Sequence, residues 1–142
     1  MSLKIPKKRL PFLHKQYVAW GEMDAFLHLN HVVFAKYFEN ARVELLRELD
    51  LWNIDAQNKE GPIITNLQIR YIKQVRYTDL LDVTLGILNI TNRSFTIGCT
   101  MWNQKEELVI VAYGDFLWFD FTTQKIVSLP QNLKFKFVKY KI

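Results

Sequence analysis

Asp24, His28 and His31 are the residues whose types and spacing could carry chemistry. The carboxylate stands four residues before the first imidazole and seven before the second, and Asn30 lies between the two histidines. An ionised aspartate can attack an electrophilic carbon itself or act as general base on water, and ionisation is easy for an aspartate near pH 7. His28 could position a substrate or help a proton transfer; it suits packing or a turn equally well. Asn30 fits a helix N-cap better than a direct substrate contact. Asp24, His28 and His31 could also be read as zinc ligands, but no fourth ligand accompanies them, so no metal and no cofactor are expected. Taken alone, an aspartate in such a stretch is ordinarily a turn residue. What surrounds it must decide.

Two kinds of element must position these groups. Phe12 to Trp20 reads as a first strand ended by Gly21. Residues 21–30 form a loop. Phe34, Tyr37, Phe38, Ala41, Leu45 and Leu49 then recur at three- and four-residue steps, which predicts an amphipathic helix from about His31 to Leu49. Such a helix would be nearly ~30 Å long. Its N-terminus offers unpaired N–H groups and the positive end of a dipole, which could hold a developing oxyanion. Gly61-Pro62 is a break. After it the chain turns to strands: Ile63 to Lys73, then Leu81 to Ile87 and Phe95 to Met101, both alternating as half-buried strands. Leu108 to Asp120 is apolar on both faces, so it should be covered on both sides. Ile126 to Leu129 could add an edge piece, and the tail from Pro130 reads equally as strand or short helix.

Strand, helix, then four or five antiparallel strands give an α+β fold: a curved antiparallel sheet of five or six strands wrapped around one long central helix. Uncovered edges point to dimerisation through the sheet. The length of 142 residues predicts a single domain spanning 1–142. A composition 49% apolar and 23% charged excludes a disordered or collagen-like chain. The single cysteine, Cys99, precludes an intramolecular disulfide and reads as core. No apolar stretch approaches the ~20 residues of a membrane span, and no signal-peptide pattern follows the basic start. A cytoplasmic protein with no membrane role is the expectation.

The net charge of +5 sits at the ends. Lys4, Lys7, Lys8, Arg9 and Lys15 open the chain, and Lys125, Lys134, Lys136, Lys139 and Lys141 close it, with no acid among either set. The basic ends, at about 1–11 and 130–142, read as solvated. All fourteen acids lie between residues 16 and 120, and this distribution argues against nucleic acid. Glu39 and Arg42, three apart on the helix, read as a surface ion pair.

Gly21-Glu22-Met23-Asp24, with His28 and Asn30 in step, runs into Tyr37-Phe38-Glu39 and Ala41-Arg42. This resembles the hotdog-fold acyl-CoA thioesterases of the 4-hydroxybenzoyl-CoA thioesterase type, which open on G-D-x-D-x-x-x-H-x-N and a helix reading Y-x-x-Y-F-E-x-A-R. Arg70-Tyr71, Val75-Arg76-Tyr77-Thr78-Asp79 and Ser94-Phe95 continue the similarity, so it covers roughly residues 12–129. Glu22 departs from the family's aspartate, and His31 replaces an asparagine or aromatic residue at the helix start.

The resemblance implies the same fold, a dimer or dimer of dimers, and sites at the subunit interface. It implies hydrolysis of an acyl-CoA to free acid and coenzyme A, with the coenzyme present only as part of the substrate. Asp24 would be nucleophile or general base, His28 and His31 its catalytic companions, and the backbone N–H of His31 the oxyanion donor. Asn30 would lie at the site, and Arg93 and Ser94 would meet the coenzyme's phosphates; a solvated turn arginine is the plain alternative. An acyl-carrier-protein thioesterase, drawn by the basic ends, and a non-catalytic acyl-CoA-binding module are the rival readings. Hydratases of this fold show D-x-N-P-x-H; here the acid and histidine are four apart with no proline between them, which favours the thioesterase.

Overall fold

A computed structural model describes residues 4–142. In chain order they form β1 (Phe12–Tyr17), α1 (Val33–Glu48), β2 (Glu60–Tyr71), β3 (Leu80–Leu88), β4 (Ser94–Trp102), β5 (Leu108–Asp120), β6 (Lys125–Ile126) and α2 (Gln131–Phe137). Short 3-10 turns occupy Trp20–Glu22 and Val138–Tyr140. The six strands make one antiparallel sheet in the order β1-β3-β4-β5-β2, with β6 beside the end of β5. β1 and β2 are therefore its edges.

The inner face of the sheet and the apolar stripe of α1 share one core. Phe34, Tyr37, Phe38, Ala41 and Leu45 of α1 are buried against Leu81, Val83 and Leu85 of β3 and Phe95, Ile97 and Met101 of β4. Phe38 and Phe116 press so closely on β5 that a Cβ on Gly114 would lie 3.0 Å from both rings. Cys99 is fully buried, and burial pushes its thiol pKa up, so it is an inert core residue.

Several sequence expectations need correction. α1 has 16 residues rather than nineteen and spans roughly 24 Å. It begins at Val33 because residues 31–32 are held in a turn by Asn30. β1 ends at Tyr17, and Trp20 belongs to a 3-10 turn. Gly61-Pro62 lies inside β2, which an edge strand tolerates because the missing N–H can face outward. The tail is helical at α2, whose Leu133 and Phe137 are buried; Phe137 packs edge-on against Phe95 at 4.9 Å.

The largest correction concerns the outer face. Thr84 and Thr100, expected on the solvated side of half-buried strands, are 2% and 0% exposed. The N-terminal segment crosses over them. The Leu10 N–H donates to Thr84 Oγ1 at 3.0 Å, and Thr100 Oγ1 donates to the Lys8 carbonyl at 2.8 Å. Ile5 and Ile142 fill the space above Gly98, and Ile142 also covers Gly86. The N-terminal basic segment is thus a strap with lysines on its outside, not a solvated tail. On β5 only the inner face is fully buried in alternation; the outer one is half-covered.

Candidate active site

Asp24 lies in the loop between the Trp20–Glu22 turn and α1. Its Oδ1 accepts hydrogen bonds from the backbone N–H groups of Phe26, at 2.8 Å, and His28, at 3.1 Å. The Asp24 N–H donates in turn to the His28 carbonyl at 2.7 Å. Leu27 closes this tight loop at φ 62°, a left-handed conformation uncommon for leucine. The Leu29 N–H donates to the Val75 carbonyl at 2.7 Å and ties the loop to the β2–β3 connection.

The His28 and Phe26 N–H donors hold the Asp24 carboxyl below the ordinary aspartate pKa, and the neighbouring His28 and His31 act in the same direction. The sign has a consequence for pH dependence. A lowered pKa means that Asp24 stays ionised down to its ordinary value of about 3.9 and beyond. Any acid limb it contributes to kcat/KM is therefore expected below pH ~3.9. A pH–rate profile checks this; an acid limb well above that value would belong to another group.

Asn30 forms the entry to the helix. Its N–H donates to the Glu22 carbonyl at 3.0 Å, its carbonyl accepts from the Val33 N–H at 2.9 Å, and its Oδ1 accepts from the Val32 N–H at 3.2 Å. The helix N-cap position itself falls on Val32. Asn30 thus builds the turn before the cap, two positions ahead of the N-cap place the sequence suggests for it. The His31 N–H, at the tip of that turn, has no hydrogen-bond partner among the described residues.

A cleft of about 260 Å³ opens beside these groups. Asp24, His28 and His31 line it from the loop; Leu29, Phe34, Tyr71, Ile72 and Val75 give it apolar walls, with Lys73 and Gln74 between the last two. Tyr71, at the end of β2, donates its hydroxyl to the His31 carbonyl at 3.0 Å and sets its ring edge-on to Phe34 at 5.6 Å. Arg76 brings Nη2 to 3.4 Å from Nε2 of His28. Phe34 belongs to the apolar helix face that the sequence predicts, while Tyr71 and Arg76 stand out there only as part of a wider pattern. Both arrive from forty or more positions away, and no local spacing announces them.

Glu22 fastens the loop to the helix. Its Oε1 accepts from the Tyr37 hydroxyl at 2.6 Å and from the Ala19 N–H at 3.2 Å, and its Oε2 pairs with Lys36 at 3.3 Å. Burial opposes ionisation of Glu22, but these donors outweigh it and lower its pKa. Burial and the same bond to Glu22 raise that of Tyr37. Tyr37→Phe removes a hydrogen bond to a charged group and is expected to cost about 1.5–3 kcal/mol of stability. The midpoint of urea unfolding reads this directly.

Not every candidate converges here. Arg93 and Ser94 sit at the β3–β4 turn, where Thr91 Oγ1 receives both of their N–H groups. Ser94 pairs with Leu117 across β5, whereas Tyr71 pairs with Ile110. Seven residues of strand separate the two levels, roughly 23 Å. Within one chain, Arg93 and Ser94 therefore do not reach Asp24. Glu39 and Arg42 are 4.0 Å apart, but only Glu39 is exposed. The Arg42 guanidinium lies 4.7 Å over the Phe116 ring, and burial lowers its pKa. It keeps the expected i,i+3 pair with Glu39 and is stacked on aromatic rings as well. Among the described residues, no cluster of three His, Cys, Asp or Glu side chains could share a metal ion, and no helix is long and apolar enough to cross a membrane.

Comparison with known proteins places this geometry in a family. The long-chain acyl-CoA thioesterase FadM of Escherichia coli is 24% identical over 115 residues, covering 80% of this chain and 87% of the relative. A Pseudomonas aeruginosa crystal structure superposes with a TM-score of 0.86 at 14% identity, covering 95% of this chain and 94% of the other. The 1,4-dihydroxy-2-naphthoyl-CoA thioesterase of Synechocystis superposes with a TM-score of 0.80 at 17% identity, covering 89% and 95%. These superpositions establish the hotdog fold that the six-stranded sheet and α1 describe. The model of the thioesterase-like superfamily matches residues 18–137, which takes in the Asp24 loop, α1 and strands β2 to β6. The chain belongs to the thioesterase-like superfamily and is a thioester hydrolase.

Proposed function

We propose that the protein is an acyl-CoA thioesterase that releases a free acid and coenzyme A, with Asp24 as the reacting carboxylate. One observation carries the reading: an ionised carboxylate and an unengaged backbone N–H, that of His31, flank the same partly apolar cleft. The acyl group would lie against Phe34 and Tyr71, and its carbonyl oxygen would take the His31 N–H. As the tetrahedral oxyanion forms, that donor and the nearby end of α1 stabilise it. Asp24 either bonds to the carbonyl carbon, expelling the thiolate and leaving an anhydride for water, or removes a proton from water as its oxygen attacks. His28, beside Arg76, is placed to orient the thioester, and Asn30 holds the turn that presents the His31 N–H. The coenzyme is part of the substrate, and no further cofactor enters.

The unit we propose is at least a dimer. β2 is a twelve-residue edge strand whose Ile64, Leu67 and Tyr71 are exposed. A long apolar edge is a template for pairing. Two copies of β2 paired about a two-fold axis near its middle would set the Tyr71 end of one beside the Glu60 end of the other. The partner's Arg93 and Ser94 would then lie roughly 17 Å from this chain's Tyr71, three strand spacings across the paired sheet and up to three residues along it. That is within reach of an extended coenzyme A whose thioester sits at Asp24. Arginine suits its phosphates. The site would be shared, which accounts for the distance between Asp24 and Arg93 within one chain.

The test is release of free thiol from a panel of acyl-CoA and acyl-carrier thioesters. Turnover of the coenzyme esters supports the proposal. Turnover confined to carrier-linked esters moves the reading to a carrier-protein thioesterase, and binding without turnover moves it to an acyl-CoA-binding module.

A further inference from the structure

We infer that Arg76 is a positioning residue: its guanidinium fixes His28 as a hydrogen-bond donor at Nδ1 and withdraws it as a base. The inference rests on the thioesterase reading and assigns one group of that site its part. Nη2 of Arg76 lies 3.4 Å from Nε2 of His28. A guanidinium stays protonated and only donates, whereas a neutral imidazole has one N–H and one lone pair. Nη2 therefore donates to the lone pair of Nε2, and the ring's own proton sits on Nδ1. Nδ1 has no hydrogen-bond partner among the described residues, and His28 lines the cleft. Asp24 takes the main-chain N–H of His28 and leaves its ring to Arg76. An N–H at Nδ1 can orient a thioester. It cannot take a proton from water, and the ring's one lone pair is engaged, so proton abstraction falls to Asp24.

The connection between β2 and β3 is built to hold Arg76 in this place. Residues 76–79 close a turn: the Asp79 N–H donates to the Arg76 carbonyl at 3.1 Å, and the Arg76 N–H donates to Asp79 Oδ2 at 3.4 Å. Within it Thr78 takes φ 82°, an outlier for a β-branched residue. Such a conformation persists only where its surroundings over-determine it. Here they do so from two sides. The Asp79 carbonyl accepts from the Val18 N–H at 3.3 Å, which ties the turn to the end of β1. The Val75 carbonyl accepts from the Leu29 N–H at 2.7 Å. Val75 immediately precedes Arg76 and Leu29 immediately follows His28, so this bond clamps the two backbones side by side. The frame of the fold, and not a chance reach of a long side chain, sets the guanidinium against the imidazole.

The experiment is nitrogen-15 NMR of the imidazole rings in the full chain, free of substrate, near pH ~8 and above the ordinary histidine range. The ring nitrogen signals and their couplings to the carbon-bound protons read the tautomer, and His28→Gln assigns the His28 set. Wild type should show the proton on Nδ1. Arg76→Met removes the donor and should release the ring from that tautomer. Arg76→Lys keeps a donor on a stem of similar length and should largely restore it. Rates should follow. In Arg76→Met, kcat for an acyl-CoA ester should fall about ten-fold or more, the loss expected when a charged donor is removed, and Arg76→Lys should recover most of it. Affinity for an unhydrolysable S-alkyl-CoA thioether should stay within a few-fold of wild type throughout. A wild-type His28 with its proton on Nε2 overturns the inference, whatever the stability of the variants. So does a tautomer, or a kcat, that is the same in wild type and Arg76→Met. If no ester is hydrolysed but the tautomer follows residue 76, the catalytic reading falls and the positioning of His28 stands.

Discussion

Asp24→Asn is expected to lower kcat for acyl-CoA hydrolysis by about 10²–10⁴-fold, the range typical for loss of a positioned acid–base group, while the protein stays folded. The geometry makes asparagine the informative choice. Asp24 holds its loop through one oxygen, Oδ1, which accepts from Phe26 and His28. An asparagine side-chain oxygen can accept the same two bonds. The loop therefore survives, and only the charge and nucleophilicity are lost. Alanine would remove both the chemistry and the turn, and a loss of activity would then say nothing about which mattered. Two readouts accompany the rate: the thermal midpoint, expected unchanged, and the affinity for an S-alkyl-CoA, expected within a few-fold of wild type. A variant that binds and folds normally but retains full activity would remove Asp24 from the reaction.

The parts of this site that were legible in the sequence are those encoded locally. Asp24, His28, Asn30 and His31 lie within eight residues, so one loop brings them together whatever the rest of the fold does. The stripe of Phe34, Tyr37, Phe38, Ala41 and Leu45 was legible for the same reason: helical periodicity is a short-range signal. The missed features are long-range. Tyr71 reaches His31 across forty positions because β2 ends beside the start of α1, and nothing near Tyr71 in the chain encodes that.

The outer face misled for a subtler reason. Thr84 and Thr100 alternate with leucine, cysteine and methionine as solvent-facing threonines do. Their hydroxyls instead bond the backbone of the N-terminal strap. A threonine that satisfies a covering backbone and one that faces water look alike in sequence. Gly86 and Gly98 were the available clue, since each leaves room for the side chain of Ile142. Arg42 shows the converse. Its spacing from Glu39 predicts a surface pair, which forms at 4.0 Å, but its long side chain also lies over Phe38 and Phe116, a contact that the spacing does not announce.

Mixing two inactive variants is expected to restore activity if the site is shared between subunits. In an Asp24→Asn chain the Arg93 turn is intact; in an Arg93→Glu chain the Asp24 loop is intact. Each homodimer carries two defective sites, the first without its carboxylate and the second with a charge that repels the coenzyme's phosphates. In a heterodimer the two defects fall together in one site, and the other site is whole. Random exchange of equal amounts makes about half the dimers mixed, each with one working site of two, so about a quarter of wild-type kcat/KM should return. A site built within one chain predicts no recovery at any ratio. The control is a β2 substitution, Leu67→Lys, which places a charge on the exposed edge and should prevent pairing. Sedimentation should then show a monomer, and a monomer should be nearly inactive although its Asp24 loop is untouched. Full activity in a monomeric Leu67→Lys protein would sink the shared site, and the roughly 23 Å between Asp24's cleft and Arg93 would then exclude that arginine from the reaction altogether.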